Sequence, residues 1–188
     1  MDYKVLKQRL KRELSEELYR HSLGVSKTAR NLARKHHINE DKAYISGLLH
    51  DCARDFNKEE LRELIKKHKI RLDKYEQNIS SVWHSIVGSV LAKKVYGIKD
   101  RDILKAIREH TTGSNRPGDL SILIYISDFI EPGRKFDSLE ELRKLSSKDL
   151  YKTAYLTINK KMKHIKKKGK TIHPATLNFR KYIENRLK

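Results

Sequence analysis

The stretch "GLLHDCARDF", Gly47 to Phe56, sets a histidine and an aspartate directly behind an apolar run. Helical periodicity points His50 and Asp51 toward the protein interior. Both side chains are expensive to bury without partners. Either they satisfy each other locally, or something with positive charge is held between them. The neighbouring segments decide which.

Helical signals run outward in both directions. Ser15 caps "SEELYRHSLGVSKTARNLARKHH", with Leu18, Val25, Ala29 and Leu32 on one face. Asn39 opens "NEDKAYISGLLHDCAR", which carries the doublet near its end. Asn57 with Glu60 forms a capping-box pattern for "NKEELRELIKKHK", and Ser138 with Glu141 repeats it before "SLEELRKL". "SSVWHSIVGSVLAKKVYG" stops near Gly97, a glycine suited to a helix end. "DRDILKAIREHTTG" starts at Asp100 or its neighbours, and "DLSILIYISDFIEPG" is broken by Pro132 and Gly133. Ser147 caps a long helix toward Lys168, ended by Gly169, and Pro174 suits the first position of a final helix. No strand, repeat or dividing linker is legible. The expectation is an all-α helical bundle in a single domain, 1–188.

Composition narrows the function classes. Hydrophobic residues make up 37% of the 188 positions and charged residues 36%, which supports one core beneath a heavily charged surface. No stretch approaches the run of about 20 apolar residues that a membrane span needs. The N-terminal "MDYKVLKQRLKREL" has no apolar signal core, so neither membrane association nor export is expected. The single cysteine, Cys52, forbids an intrachain disulfide and fits a reducing cytoplasm; next to the doublet it reads as packing. Net charge is +19, from 43 Lys+Arg against 24 Asp+Glu, which points to nucleic acid, an anionic membrane or an anionic small substrate. The dense run "KKMKHIKKKGK", Lys160 to Lys170, reads as a solvated helix face. No zinc-finger spacing, RNP aromatics or GXXG loop accompanies it, so nucleic acid is not the expected partner.

The polar residues on inner faces carry the chemistry. His21 lies on the face of Leu18, Val25 and Ala29; His50 follows Ala43 and Ser46; His110 follows Ile103 and Ile107; His84 stands beside Trp83; Asp128 interrupts "ILIYISDFI". One inward histidine is ordinarily a satisfied core residue, but the joint pattern is not. His36, His37, His68 and His164 sit in polar runs and read as exposed. Imidazole and carboxylate donors suit zinc, iron or manganese, and a set without thiolate favours a catalytic over a structural metal.

In the order His21, then His50–Asp51, then Asp128, the chain resembles the HD-domain metal-dependent phosphohydrolases. It is more closely similar to one branch, the symmetrical bis(5′-nucleosyl)-tetraphosphatases of the YqeK family. The matching stretches are "RHSLGVSKTARNLA", "SGLLHDCARDF", "WHSIVG", "AIREHTTG", "YISDFIEPGR" and "IHPATLNFR", spread from Arg20 to Arg180. Two departures stand out: Arg54 where the family carries lysine, and Ser85 where glycine is expected after His84.

The resemblance implies hydrolysis of diadenosine tetraphosphate to two ADP, with His21, His50, Asp51 and Asp128 around a divalent transition metal, iron foremost. It implies catalytic roles for Asp51, His84 and His110. Nucleotide contacts are implied for His21, Arg54, His84, His110, Thr111, Asp128, Arg134, Thr171, Ile172 and His173. His84 and His110 have an alternative, holding a second metal. "GKTIHPATL" is either a plain turn before a Pro-initiated helix or a backbone contact to ribose or base; it lacks P-loop spacing. A homodimer is implied by the resemblance alone. Two rivals remain: another HD-type nucleotide phosphohydrolase, and a basic nucleic-acid-binding protein.

Overall fold

Caps and apolar stripes divide the chain into helices, and the computed structural model describes residues 3–188 of them. In order these are α1 (Tyr3–Glu13), α2 (Glu16–Lys35), α3 (Glu40–Leu49), α4 (Lys58–Lys67), a 3₁₀ turn (Ser80–Val82), α5 (Trp83–Lys94), α6 (Arg101–Glu109), α7 (Asp119–Ile130), α8 (Leu139–Ser146), α9 (Leu150–Lys167) and α10 (Pro174–Arg186). No strand occurs among the described residues, and no helix there is long and apolar enough to cross a membrane. The domain expected over 1–188 includes positions 1 and 2, which lie outside the described residues.

The starts follow the sequence where side chains can cap. Ser15 accepts from the Leu18 amide, Asn39 from Lys42, and Asp100 from Asp102 and Ile103. The Asn57–Glu60 box closes in both directions. Helix α7 is the hub. Leu120, Ile122, Leu123, Ile124, Tyr125, Ile126 and Ile130 bury nearly its whole circumference, and α2, α3, α6, α8 and α9 pack around it. A helix apolar on every side must be enclosed, and each such side chain contributes roughly 1.5–3 kcal/mol on burial.

Helices α2 and α3 make the tightest approach. A Cβ on Gly47 would lie 2.8 Å from the Cα of Ser26 and 3.0 Å from its nitrogen. Only glycine lets the two backbones touch there, and Ser22, Ser26 and Ser46 of these two helices are fully buried. This proximity sets His21 on α2 opposite His50 at the end of α3.

Four expectations are corrected. The N-terminal segment, assigned no helix from the sequence and read only as lacking an apolar signal core, is helical over Tyr3–Glu13 and buries Leu6 and Leu10. Helix α3 does not run through Arg54 but ends at Leu49, after which Cys52 N bonds Leu49 O and Arg54 N bonds Asp51 O. A continued helix would aim consecutive side chains about 100° apart; the turn lets His50 and Asp51 converge. Ser138 forms no cap, because its left-handed φ of 64° is not the extended conformation that presents a cap oxygen. Ser147 does not cap α9 either: it closes α8 through Lys144 O, and Asp149, the first extended residue, takes the cap by accepting from Lys152 N.

Replacing Gly47 by Ala is expected to lower stability by about 1–3 kcal/mol, the usual effect of overpacking a close contact. Urea denaturation measures this, and an unchanged midpoint would show that the α2–α3 contact has slack.

Candidate metal centre

Two helix positions, His21 on α2 and Asp128 on α7, and two residues of the turn after α3, His50 and Asp51, bring four donors together. His21 Nε2 stands 3.2 Å from His50 Nε2 and 3.3 Å from Asp128 Oδ1. His50 Nε2 is 3.5 Å from Asp51 Oδ2 and 3.9 Å from Asp128 Oδ1. Donors that share one ion at about 2.0–2.2 Å stand at such separations.

The far sides of the rings fix what faces inward. His50 Nδ1–H donates to Gly47 O at 2.8 Å, leaving the Nε2 lone pair free. His21 Nδ1 lies 3.2 Å from Glu131 Oε1, a carboxylate that is itself buried and accepts from the Gly133 amide at 2.7 Å. That carboxylate occupies space where Gly24 has no side chain, since a Cβ there would meet Oε2 at 2.5 Å. Imidazoles anchored through Nδ1 with converging Nε2 atoms could hold a metal ion, with orienting partners already in place.

A second donor group adjoins the first through Asp51. Its Oδ1 is 3.3 Å from His84 Nε2 and 3.2 Å from His110 Nε2, and those two nitrogens are 3.3 Å apart. His110 Nδ1–H donates to Ile107 O at 2.8 Å, so its Nε2 is also the free nitrogen. Asp51 Oδ1 is buried without a hydrogen-bond partner of good geometry, an arrangement that leaves it available to a cation. Thr111 Oγ1 lies 3.2 Å from both His84 Nε2 and His110 Nε2.

Burial and charge set the protonation states. Burial pushes His50 down to about 4 and His84 to about 3, against the opposing pull of Asp51. For Asp51, burial alone would raise the carboxyl; His50, His110 and His84 outweigh it and hold it below the usual carboxylate range. Burial likewise opposes the ionisation of Asp128, and Lys161 and His21 overcome it. His21 moves upward, because Asp128 and Glu131 outweigh the effect of burial. Neutral imidazoles beside ionised carboxylates are the state in which both bind a cation.

The remaining candidates divide. Arg134 donates to Asp128 Oδ1 at 2.9 Å, and Arg54 Nη1 lies 3.0 Å from both ring nitrogens of His84, resting against the ring. These two cations flank the donors at either end of the chain of contacts. Thr171 is exposed, Ile172 half-buried and His173 buried beneath the Tyr75 ring at 5.9 Å. Among the described residues none of the three touches the donor cluster; His173 caps α10 by accepting from Ala175 N at 3.1 Å. Cys52 is turned away as expected, its buried thiol 3.5 Å from Gly88 O and pushed upward in pKa by burial.

Two participants escaped the sequence reading. Glu131 lies in "IEPG", which looks like a loop acid. Lys161 belongs to the run taken as a solvated face, yet its Nζ is 3.2 Å from Asp128 Oδ2 and 4.0 Å from the Tyr125 ring centre. That run is therefore not uniformly solvated, because α9 packs on α7 and aims this one lysine inward. His36 is corrected too: it is half-buried and donates through Nε2 to Ser146 O at 2.6 Å.

The HD domain family matches residues 18–165. A symmetrical bis(5′-nucleosyl)-tetraphosphatase from Bacillus subtilis is 37% identical over 169 residues, covering 89% of this chain and 89% of that protein. A protein of the same description from Staphylococcus aureus is 29% identical across 100% of this chain and 99% of its own length. Among solved structures, one from Clostridium acetobutylicum, described as a "predicted HD superfamily hydrolase involved in NAD metabolism", superposes with a TM-score of 0.93. It is 38% identical and covers 99% of this chain and 98% of its own.

Two stability measurements check the electrostatics. Burial depresses His50 to about 4 and His84 to about 3 in the folded chain, against about 6.5 unfolded. The unfolded state binds more protons in between, so metal-free protein should lose stability as pH falls from 6.5 toward 3, and the raised His21 opposes this only at higher pH. A flat urea midpoint from pH 7 to pH 4 would contradict the buried neutral imidazoles. Lys161→Met should cost metal-free protein roughly 2 kcal/mol by leaving a carboxylate short of a partner. Lys163→Gln, Lys166→Gln and Lys168→Gln, on exposed positions, should each cost less than about 0.5 kcal/mol.

Proposed function

Because the chain belongs to the HD-domain family, we propose that it hydrolyses diadenosine tetraphosphate to two ADP, with His21, His50, Asp51 and Asp128 holding a divalent metal. The observation that carries this is the convergence of two imidazole Nε2 atoms and two carboxylates, flanked at its ends by Arg134 and Arg54. The relatives described as symmetrical tetraphosphatases support the substrate. When bound, a divalent metal here supplies a nucleophile from water near neutral pH and polarises the phosphoryl group under attack.

The side chains do the rest. Arg134 is nearly half exposed on the turn after α7, so its guanidinium can leave Asp128 for a phosphate and grip it through two N–H groups. Arg54, His84, His110 and Thr111 neutralise and orient the phosphates on the other side of the scissile bond. Water adds to one inner phosphorus, the bridging P–O bond breaks, and its electron pair leaves on the terminal phosphate oxygen of the second ADP. The backbone at Thr171, Ile172 and His173 receives ribose or base. Iron is the proposed metal and the cytoplasm the proposed compartment, the latter supported by the single buried cysteine. Pairing into a homodimer, implied by the resemblance, is tested by sedimentation.

One observation favours a second reading for His84 and His110. With Asp51 Oδ1 they form a three-donor group of their own, so a second ion bridged by Asp51 fits. Metal analysis decides between one and two ions per chain. A different HD-type substrate would show as preference within a nucleotide panel, and nucleic-acid binding as affinity that falls steeply with salt.

Asp51→Ala is expected to abolish both metal binding and hydrolysis while helicity persists; full metal content with normal turnover would sink the site. Arg134→Ala should keep its metal and lose about a hundredfold in turnover, since it removes phosphate stabilisation alone. In ¹⁸O-water the sole product should be ADP, with label on the β-phosphate of about half the molecules, as one water enters per cleavage. AMP plus ATP would place the attack one phosphate away.

A further inference from the structure

Against His84 lies a cavity of about 220 Å³ lined by Arg54, Lys58, Leu61, Ser80, Ser81 and His84, with no residue of the first donor group in its lining. Its polar lining is cationic or donor-bearing and contains no carboxylate. Among the described residues, Arg54 and Lys58 form no ion pair, and the Ser80 and Ser81 hydroxyls form no hydrogen bond. His84, which is buried, ties the cavity to the metal centre: its Nε2 faces Asp51 Oδ1 at 3.3 Å while Arg54 rests on its ring.

The position of Lys58 needs a reason. It is the first residue of α4, at the positive end of a helix dipole, with a second cation, Arg54, lining the same cavity. Physics prefers acids at such a position. The acids of that turn do not answer the charge within the cavity: Glu60 folds back to accept from the Asn57 amide at 2.7 Å, and neither it nor Glu59 lines the space. Arg54, Lys58 and Ser81 are exposed and Ser80 is half-buried, so water hydrates them in the free protein. Two cations and two hydroxyls gathered beside His84 with no carboxylate among them form an electropositive, donor-bearing recess that suits an anion.

We propose that this cavity, built by Arg54, Lys58, Ser80 and Ser81, is the subsite for the diphosphate end of the departing nucleoside diphosphate. The volume is below the roughly 300–1,000 Å³ of a site that engulfs a small molecule. It therefore suits the phosphates and leaves the nucleoside outside. When the bridging P–O bond breaks, the electron pair goes to the terminal phosphate of the leaving ADP. The Lys58 ammonium and Arg54 guanidinium stand where that charge develops. Cations for both halves of the substrate then lie on either side of the attacked phosphorus, Arg134 on one and Arg54 with Lys58 on the other.

The proposal rests on the hydrolytic reading above, and the test separates the two. Metal-loaded enzyme is titrated calorimetrically with inorganic pyrophosphate, and hydrolysis of diadenosine tetraphosphate is followed in parallel. Lys58→Gln should weaken pyrophosphate binding by about tenfold, the loss of one charge-assisted contact. The same variant should lower kcat/KM with metal content unchanged, and Lys58→Arg should recover both. Lys66→Gln, in the exposed last turn of the same helix and outside the cavity, measures the effect of bulk charge alone. Equal losses in Lys58→Gln and Lys66→Gln, or no loss in either, overturn the proposal. A wild-type enzyme that leaves the tetraphosphate intact refutes the hydrolytic reading instead, while Lys58-dependent pyrophosphate binding would still uphold the cavity as an anion site.

Discussion

A single carboxylate, that of Asp51, is buried with its two oxygens turned to different sets of nitrogens. Taking such an ion out of water costs several kcal/mol, and attraction to nearby positive groups must offset it. Much of the surrounding structure is the solution to that problem. Three imidazoles meet the carboxylate with Nε2, and His50 and His110 are turned into register by backbone carbonyls three residues earlier in their own chain. Because burial also drives His50 and His84 toward neutrality, they cannot supply the missing charge as imidazolium near neutral pH. A metal ion can.

Backbone geometry makes that meeting possible. Gly47 lets α3 lie on α2, Gly24 admits the Glu131 carboxylate behind His21, and α7 carries Asp128 through the middle of the bundle. The end of α7 is held in turn by Arg143 of α8, which donates to Ile130 O at 2.9 Å and to Glu131 O at 2.7 Å. Positioning of the first donor group thus reaches through Glu131 to a helix that contributes no donor itself.

Much of this was legible in the sequence, for a definite reason. His21, His50, His110 and Asp128 each continue an apolar stripe, so helical periodicity alone points them inward. Five starts, at Ser15, Asn39, Asn57, Asp100 and Pro174, follow from side-chain chemistry that acts within three residues. What stayed hidden depends on contacts distant in sequence. Lys161 is one lysine among many until α9 docks on α7 and sets it against Asp128, 33 residues earlier. Glu131 becomes an orienting group only when the chain turns at Pro132 and the Gly133 amide pins its carboxylate. The stop of α3 at Leu49 is not legible because no glycine or proline follows it before Arg54; convergence of His50 and Asp51 on shared partners overrides the local preference to continue. The failed cap at Ser138 has the same character: the local motif is present, but the backbone arrives there in a left-handed conformation.

Cys52 gives the molecule an internal clock. It is the single thiol of the chain, lies one residue from Asp51, and is sealed against the α5 backbone at Gly88. A thiol so buried, with its ionisation pushed upward, is inert to alkylating reagents while the core is closed. Each modification event therefore records an opening between α5 and the turn after α3 that carries His50 and Asp51. The native chain carries its own reporter of how often that contact breathes, and of how firmly a bound ion or nucleotide holds it shut.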